Sequence, residues 1–126
     1  MHWVGLDIIE IARIEKALAR WGGRFLDRIY TDSERRFYGR RAESLAALFA
    51  SKEAVMKALG TGARMRNRAG SGWKEIEVLP DPLGKPIVHL HGQARERARE
   101  MGMDNLDISM THSREYAAAS VVGGRD

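Results

Sequence analysis

Residues 43–59, ESLAALFASKEAVMKAL, followed by Gly60-Thr61-Gly62, decide how the rest of the chain must be arranged. At 3.6 residues per turn, Leu45, Leu48, Phe49, Val55, Met56 and Leu59 fall on one broad apolar face, and Ala47, Ala50, Ala54 and Ala58 line the opposite side. A helix with no side made for water is a buried helix, and its small residues let a neighbouring backbone come close. Yet Lys52 sits near the centre of the large apolar face, with Glu53 and Lys57 one turn apart along its border. Buried charges are costly unless they are paired or bound to a metal. Two arrangements meet that condition: a Glu53–Lys57 pair at i, i+4 with Lys52 reaching out to the rim, or a site for a cation and its anion along that border.

Upstream, Trp3 to Ile9 is rich in β-formers, and the alternation Val4, Leu6, Ile8 predicts a strand with those three in the core and Asp7 on the other face. Ile11, Ile14, Leu18 and Trp21 then recur at helical spacing, and Gly22-Gly23 supplies the stop. On that helix Arg13, Lys16 and Arg20 form a basic stripe that Arg24 and Arg28 extend; it is either a solvated face or a docking surface for an acidic partner. Thr31-Asp32-Ser33-Glu34 is a capping box, so a short helix starts there and runs to about Arg41.

Downstream, residues 63–72 read as a basic loop carrying Arg64, Arg66 and Arg68. Trp73 to Leu79 alternates Ile76 and Val78 against Glu75 and Glu77, a half-buried strand that the turn at Pro80–Gly84 joins to Pro86–Leu90. Gln93 to Met101 is a charged surface helix stopped by Gly102. Leu106, Ile108 and Met110 mark another strand ending at His112, followed by a turn at Ser113-Arg114-Glu115, a strand over 116–122 and a frayed tail. Helices mixed with hairpins predict an α+β fold, largely an antiparallel sheet against a long buried helix.

The 126 residues fit a single domain over 1–126. The absence of cysteine excludes disulfides, thiolate catalysis and Cys-ligated zinc. Met1 to Asp7 lacks the basic start and apolar stretch of a signal peptide, and no apolar run is long enough to span a bilayer, so a soluble cytoplasmic protein is expected. With 21 basic against 17 acidic side chains, a formal charge of +4, the chain favours anionic partners without naming one. Asp7 and Glu53 are a carboxylate pair of the kind that holds Mg²⁺ on a pyrophosphate, with lysine nearby, though acid pairs are common in any chain of this length.

Several segments together resemble the holo-[acyl-carrier-protein] synthases, short members of the 4′-phosphopantetheinyl transferases. Val4-Gly5-Leu6-Asp7-Ile8-Ile9-Glu10-Ile11-Ala12-Arg13-Ile14 is similar to the family's first signature and Phe49 to Gly62 to its second. Tyr30–Glu34, the Trp73–Leu90 hairpin and Met110–Ala117 match further blocks in the same order. The resemblance implies the phosphopantetheinyl transferase fold. It also implies transfer of 4′-phosphopantetheine from coenzyme A to a serine of apo acyl carrier protein in fatty acid biosynthesis, leaving adenosine 3′,5′-bisphosphate.

On that resemblance Asp7 and Glu53 bind Mg²⁺ and Glu53 receives the serine proton. Lys57 neutralises phosphate charge, and Lys52 does likewise or braces Asp7. His112 lies near the nucleotide phosphates, with Gly60, Thr111 and Ser113 as contacts beside it, and Arg13 with Lys16 and Arg20 receives the acidic carrier. A homotrimer with sites between subunits is implied too, and a helix lined on one side by alanine fits an interface. One departure stands out: the family commonly has an arginine before the Phe-Ala of the second motif, to meet the 3′-phosphate of coenzyme A, and here that position is Leu48. Arg41, Arg64 and Arg66 are the alternatives.

Two rival functions use the same charges. One is a non-catalytic module binding nucleic acid, against which Trp3, Trp21 and Trp73 stand in structural elements instead of among basic residues as stacking platforms. The other is a Mg²⁺-dependent nucleotide pyrophosphohydrolase, with water in place of serine. Neither nucleic acid nor a membrane is the expected partner.

Overall fold

The computed structural model describes residues 1–61 and 72–126. In chain order the elements are β1 (His2–Glu10), α1 (Ile11–Trp21), α2 (Gly23–Ile29), α3 (Asp32–Tyr38), α4 (Ala42–Leu59), a 3-10 turn (Trp73–Glu75), β2 (Ile76–Pro80), β3 (Pro86–Leu90), α5 (Gly92–Met101), β4 (Asn105–His112) and β5 (Tyr116–Gly124). Arg64, Arg66 and Arg68 lie outside the described residues.

The strands form an antiparallel three-stranded sheet in the order β1-β5-β4 and a β2-β3 hairpin, so the α+β architecture expected from the pattern is the one found. Helix α4 lies across one face of the three-stranded sheet, with most of its residues buried. Its alanine side is what permits this. A Cβ built on Gly5 of β1 would come within 1.8 Å of the Ala54 carbonyl oxygen, so helix and strand backbones are in direct contact there. The alanines therefore pack on the chain's own sheet, which removes them as a sign of a subunit interface.

That contact also corrects the facing of β1. Gly5 and Ile9 are buried against α4 and Asp7 points the same way, whereas Val4, Leu6 and Ile8 are 68%, 64% and 65% exposed on the open face. Alternation tells which residues share a face; it does not tell which face is covered.

Two smaller expectations change as well. The stretch from Trp73 begins as a 3-10 turn and becomes a strand only at Ile76, and Glu75 is buried, accepting from Ala94 N (3.0 Å) at the start of α5. Nor is the carboxyl end frayed at Gly123 and Gly124: both are buried in β5, paired to β1 on one side and β4 on the other.

The capping box forms as read. Glu34 N donates to Thr31 Oγ1 (3.1 Å) and Thr31 N to Glu34 Oε1 (2.9 Å), starting α3. Helix α4 ends at Gly60, whose left-handed φ of 69° closes the last turn, with Arg97 Nε donating to the Leu59 carbonyl (2.9 Å).

Candidate functional site

The close approach of Gly5 to Ala54 carries the neighbouring side chains with it. Lys57, one turn beyond Glu53 on α4, donates to Asp7 Oδ1 (3.0 Å) and to the Leu6 carbonyl (2.9 Å). Two of the three ammonium hydrogens are thereby engaged, and the side chain is about half exposed, 53%. Glu53 is half-buried at i−4 from Lys57, a spacing that puts both on one side of the helix. Lys57 thus joins α4 to Asp7 at the β1 edge, with Glu53 one turn away along the same helix.

His112 is on the same side of the sheet. The register aligns Asp7 with Ala119 and Met110, and Ile9 with Ala117 and His112, so Asp7 and His112 point to the helix-covered face two strands apart. From strand spacing and rise their Cα atoms are about 12 Å apart. Between them Ser51 Oγ bonds the Ala47 carbonyl (2.8 Å) and touches Met110 Sδ (3.2 Å), seating α4 on this row.

Near His112 the start of α4 contributes charge. Arg41 Nε bonds Glu43 Oε1 (2.7 Å). That bond, with Glu43's own backbone and the Arg41 and His112 charges, holds the Glu43 carboxyl below its ordinary range. Arg41 is exposed within this group, whereas Leu48 is fully buried in the core. Position 48 therefore faces packing, and of the three arginines offered in its place Arg41 is the one among the described residues.

Other expected contributors go elsewhere. Thr111 aligns with Ala118 and Ile8, which puts its hydroxyl on the open face, opposite Asp7. Ser113 is held in the β4–β5 turn, its N donating to the Tyr116 carbonyl (2.8 Å) and its Oγ near Tyr116 N (3.3 Å). Gly60 lies at the carboxyl end of α4, one turn past Lys57.

Lys52 is the largest correction. It is 0% exposed and forms an ion pair with the equally buried Glu34 (2.8 Å), neither reaching the rim nor bracing Asp7. Its remaining donors go to the carbonyls of Trp73 (3.1 Å) and Ile76. Burial pushes the ammonium pKa down, and the Glu34 charge and hydrogen bond oppose that. Glu34 was read only as a capping residue, since nothing in the local pattern announces a partner on the next helix.

Sequence reading also missed a groove of about 610 Å³ lined by Trp21, Arg24, Phe25, Arg28, Ile29 and Trp73. It adjoins the basic stripe: the Arg20 guanidinium lies 4.9 Å and that of Arg24 5.9 Å from the Trp21 ring centre. Arg24, Phe25 and Arg28 were visible as a run; Trp73, which closes the groove, comes from far along the chain.

A family model described as the 4′-phosphopantetheinyl transferase superfamily matches residues 3–121. The chain is 49% identical over 122 residues to a holo-[acyl-carrier-protein] synthase of Dehalococcoides mccartyi, covering 97% of this chain and 98% of that one. It is 46% identical over 121 residues to that of Herpetosiphon aurantiacus, covering 94% and 95%. Among solved structures, the holo-[acyl-carrier-protein] synthase of Neisseria meningitidis superposes with a TM-score of 0.84 at 30% identity, covering 98% of each chain. That of Helicobacter pylori in complex with coenzyme A gives 0.82 at 32%, covering 96% of this chain and 99% of that one. With its α+β fold and its β1–α4 site, the chain belongs to the 4′-phosphopantetheinyl transferase superfamily. Within it, the chain's place is among the holo-[acyl-carrier-protein] synthases.

Proposed function

We propose that this protein transfers 4′-phosphopantetheine from coenzyme A to a serine hydroxyl of apo acyl carrier protein. The observation that carries the reading is the Lys57–Asp7 pair at the β1–α4 junction, with Glu53 one turn before Lys57 on the same helix, in a chain of this family. The serine oxygen attacks the β-phosphorus of the pyrophosphate and a new O–P bond forms. The bond from that phosphorus to the bridging oxygen breaks, and its electron pair leaves with adenosine 3′,5′-bisphosphate. Glu53, directly or through a water, takes the serine proton. Lys57, with one ammonium hydrogen still to give, neutralises charge on the phosphates.

The donor set fits Mg²⁺. Asp7 and Glu53 offer hard oxygen ligands, and Asp7 Oδ2 has no hydrogen bond among the described residues. Mg²⁺ typically takes one or two carboxylates and completes its shell with substrate phosphates and water. Bound there, it would neutralise the pyrophosphate. His112, about 12 Å from Asp7 on the same face, and Arg41 beside it suit the nucleotide end of coenzyme A; Arg41 is our choice for the 3′-phosphate.

The acidic carrier docks on Arg13, Lys16 and Arg20 and the adjoining groove. Val4, Leu6 and Ile8, with Val122 of β5 also exposed, make an apolar sheet face that supports assembly into a homotrimer. Among the described residues no helix is long and apolar enough to cross a membrane, and we place the protein, as one domain, in the cytoplasm.

Intact-mass measurement of apo acyl carrier protein incubated with this protein, coenzyme A and Mg²⁺, beside an EDTA control, tests the reading. The expected result is a metal-dependent gain of one phosphopantetheine. Adenosine bisphosphate released equally without carrier would make it a hydrolase instead.

A further inference from the structure

Lys52 and Glu34 are too deeply buried to touch any substrate, yet the molecule places two opposite charges where packed apolar groups would serve stability at least as well. Their bonds show what they join. The two carbonyls that Lys52 takes, Trp73 and Ile76, bracket the 3-10 turn at its two ends, so one ammonium sets how that turn sits on α4. Glu34 accepts from Thr31 N at the head of α3 through Oε1 and from Val78 N of β2 (2.7 Å) through Oε2. Thr31 Oγ1 passes the connection on to Glu77 Oε2 (2.7 Å). Four segments, α3, α4, the turn and β2, converge on this one pair.

Each end of the arrangement abuts a functional place. Trp73 stacks on Phe49 of α4, ring centres 4.7 Å apart and planes inclined by 28°, and forms a wall of the groove with Arg24, Phe25 and Arg28. On α4, Lys52 is followed directly by Glu53. Gly5 against Ala54 fixes the helix from the sheet side, and Lys52 fixes it from the other.

We infer that Lys52 and Glu34 are positioning residues that hold the Trp73 wall of the carrier groove in a fixed relation to the helix bearing Glu53, so that a docked carrier presents its serine in register with the reacting carboxylate. The inference rests on the proposed transfer reaction and on the groove as the carrier's seat. Transfer depends on such registration because a displacement of about 1 Å costs on the order of a hundredfold in rate.

The test compares the parent protein with Lys52→Met and with Lys52→Met/Glu34→Gln, measuring KM for apo carrier, KM for coenzyme A, kcat and Tm. Lys52→Met alone leaves Glu34 buried and uncompensated and is expected to be poorly stable; the double variant removes both charges and recovers most of the Tm. In the recovered double variant the turn carbonyls still lack their donor. The expected result is a KM for carrier raised about tenfold, with kcat reduced and the KM for coenzyme A within about twofold of the parent. A folded double variant with the parent's KM for carrier, losing kcat only in proportion to its active fraction, overturns the inference while leaving the transfer reaction in place. No transfer by the parent protein would overturn both.

Discussion

Lys52 and Lys57 stand five residues apart on one helix, inside one motif, and the fold treats them in opposite ways. Lys57 lies at the β1 edge, half exposed, held by Asp7 and the Leu6 carbonyl with one hydrogen to spare. Lys52 faces the interior, wholly buried, every hydrogen committed to Glu34 and two carbonyls. Five residues are about 500° of helical turn, a net offset of about 140°, enough to place one ammonium at solvent and the other in the core. A lysine that can meet a substrate keeps a donor uncommitted and reaches water; one that organises the fold does neither.

The sharpest way to break this contrast is at the exposed edge. Glu53→Ala or Asp7→Ala is expected to lower transfer at least about a thousandfold, since each removes a ligand for the proposed Mg²⁺. Tm should move by no more than a few degrees, and intact-mass kinetics with a thermal melt read both. A large fall in Tm with normal turnover would transfer the structural role to this edge.

Next comes the interior lysine. Lys52→Met should lose about 3–5 kcal/mol by stranding the Glu34 carboxylate, or roughly 10–20 °C in Tm for a chain of this size. Lys57→Met, which breaks a pair whose lysine is half exposed, should cost about 1 kcal/mol. Chemical denaturation of the two variants side by side checks it. Equal losses would erase the distinction.

Gly5→Ala tests the contact that seats both lysines. A methyl placed 1.8 Å from the Ala54 oxygen must push β1 and α4 apart. The expected cost is about 1–3 kcal/mol, with a fall in activity as Asp7 moves from Lys57.

The smallest effect concerns Glu77 on the rim of the Lys52 side. Burial pushes its carboxyl up, but the Thr31 hydroxyl and His91, at 3.1 Å, outweigh that and hold its pKa below the ordinary value. A depressed folded-state pKa gives stability that is present above the unfolded value of about 4.3 and is lost as pH falls through the folded one. Melting curves between about pH 5 and pH 3 should therefore show a shallower acid decline, by under about 1 kcal/mol, in Glu77→Gln than in the parent. Parallel declines would remove Glu77 from the set of stabilising carboxylates.

Much of this was legible along the chain, because it depends on neighbours in sequence. The capping box at Thr31–Glu34, the buried character of 43–59 and the Glu53–Lys57 spacing all follow from helical geometry over one or two turns. Asp7 stood out from many possible acid pairs, and His112 stood out at all, only through motif resemblance, since the register that aims both at α4 is a property of the assembled sheet. The partner of Lys52 was not legible: Glu34 is on another helix, and its capping role already accounted for it.

By itself, then, the sequence determined most of the element types, the helix that had to be buried, and the identity of the acidic and basic groups at the β1–α4 junction. Each is written in local periodicity, caps and a contiguous motif. Tertiary structure alone decided which face of β1 meets α4, that Lys52 belongs to Glu34, that Leu48 faces the core, and that Trp73 closes a groove beside Arg24 and Arg28. The physical reason is shared. Period-two alternation is blind to which side is covered, a buried charge takes its partner from wherever packing brings one, and a groove exists only between segments that the fold has joined.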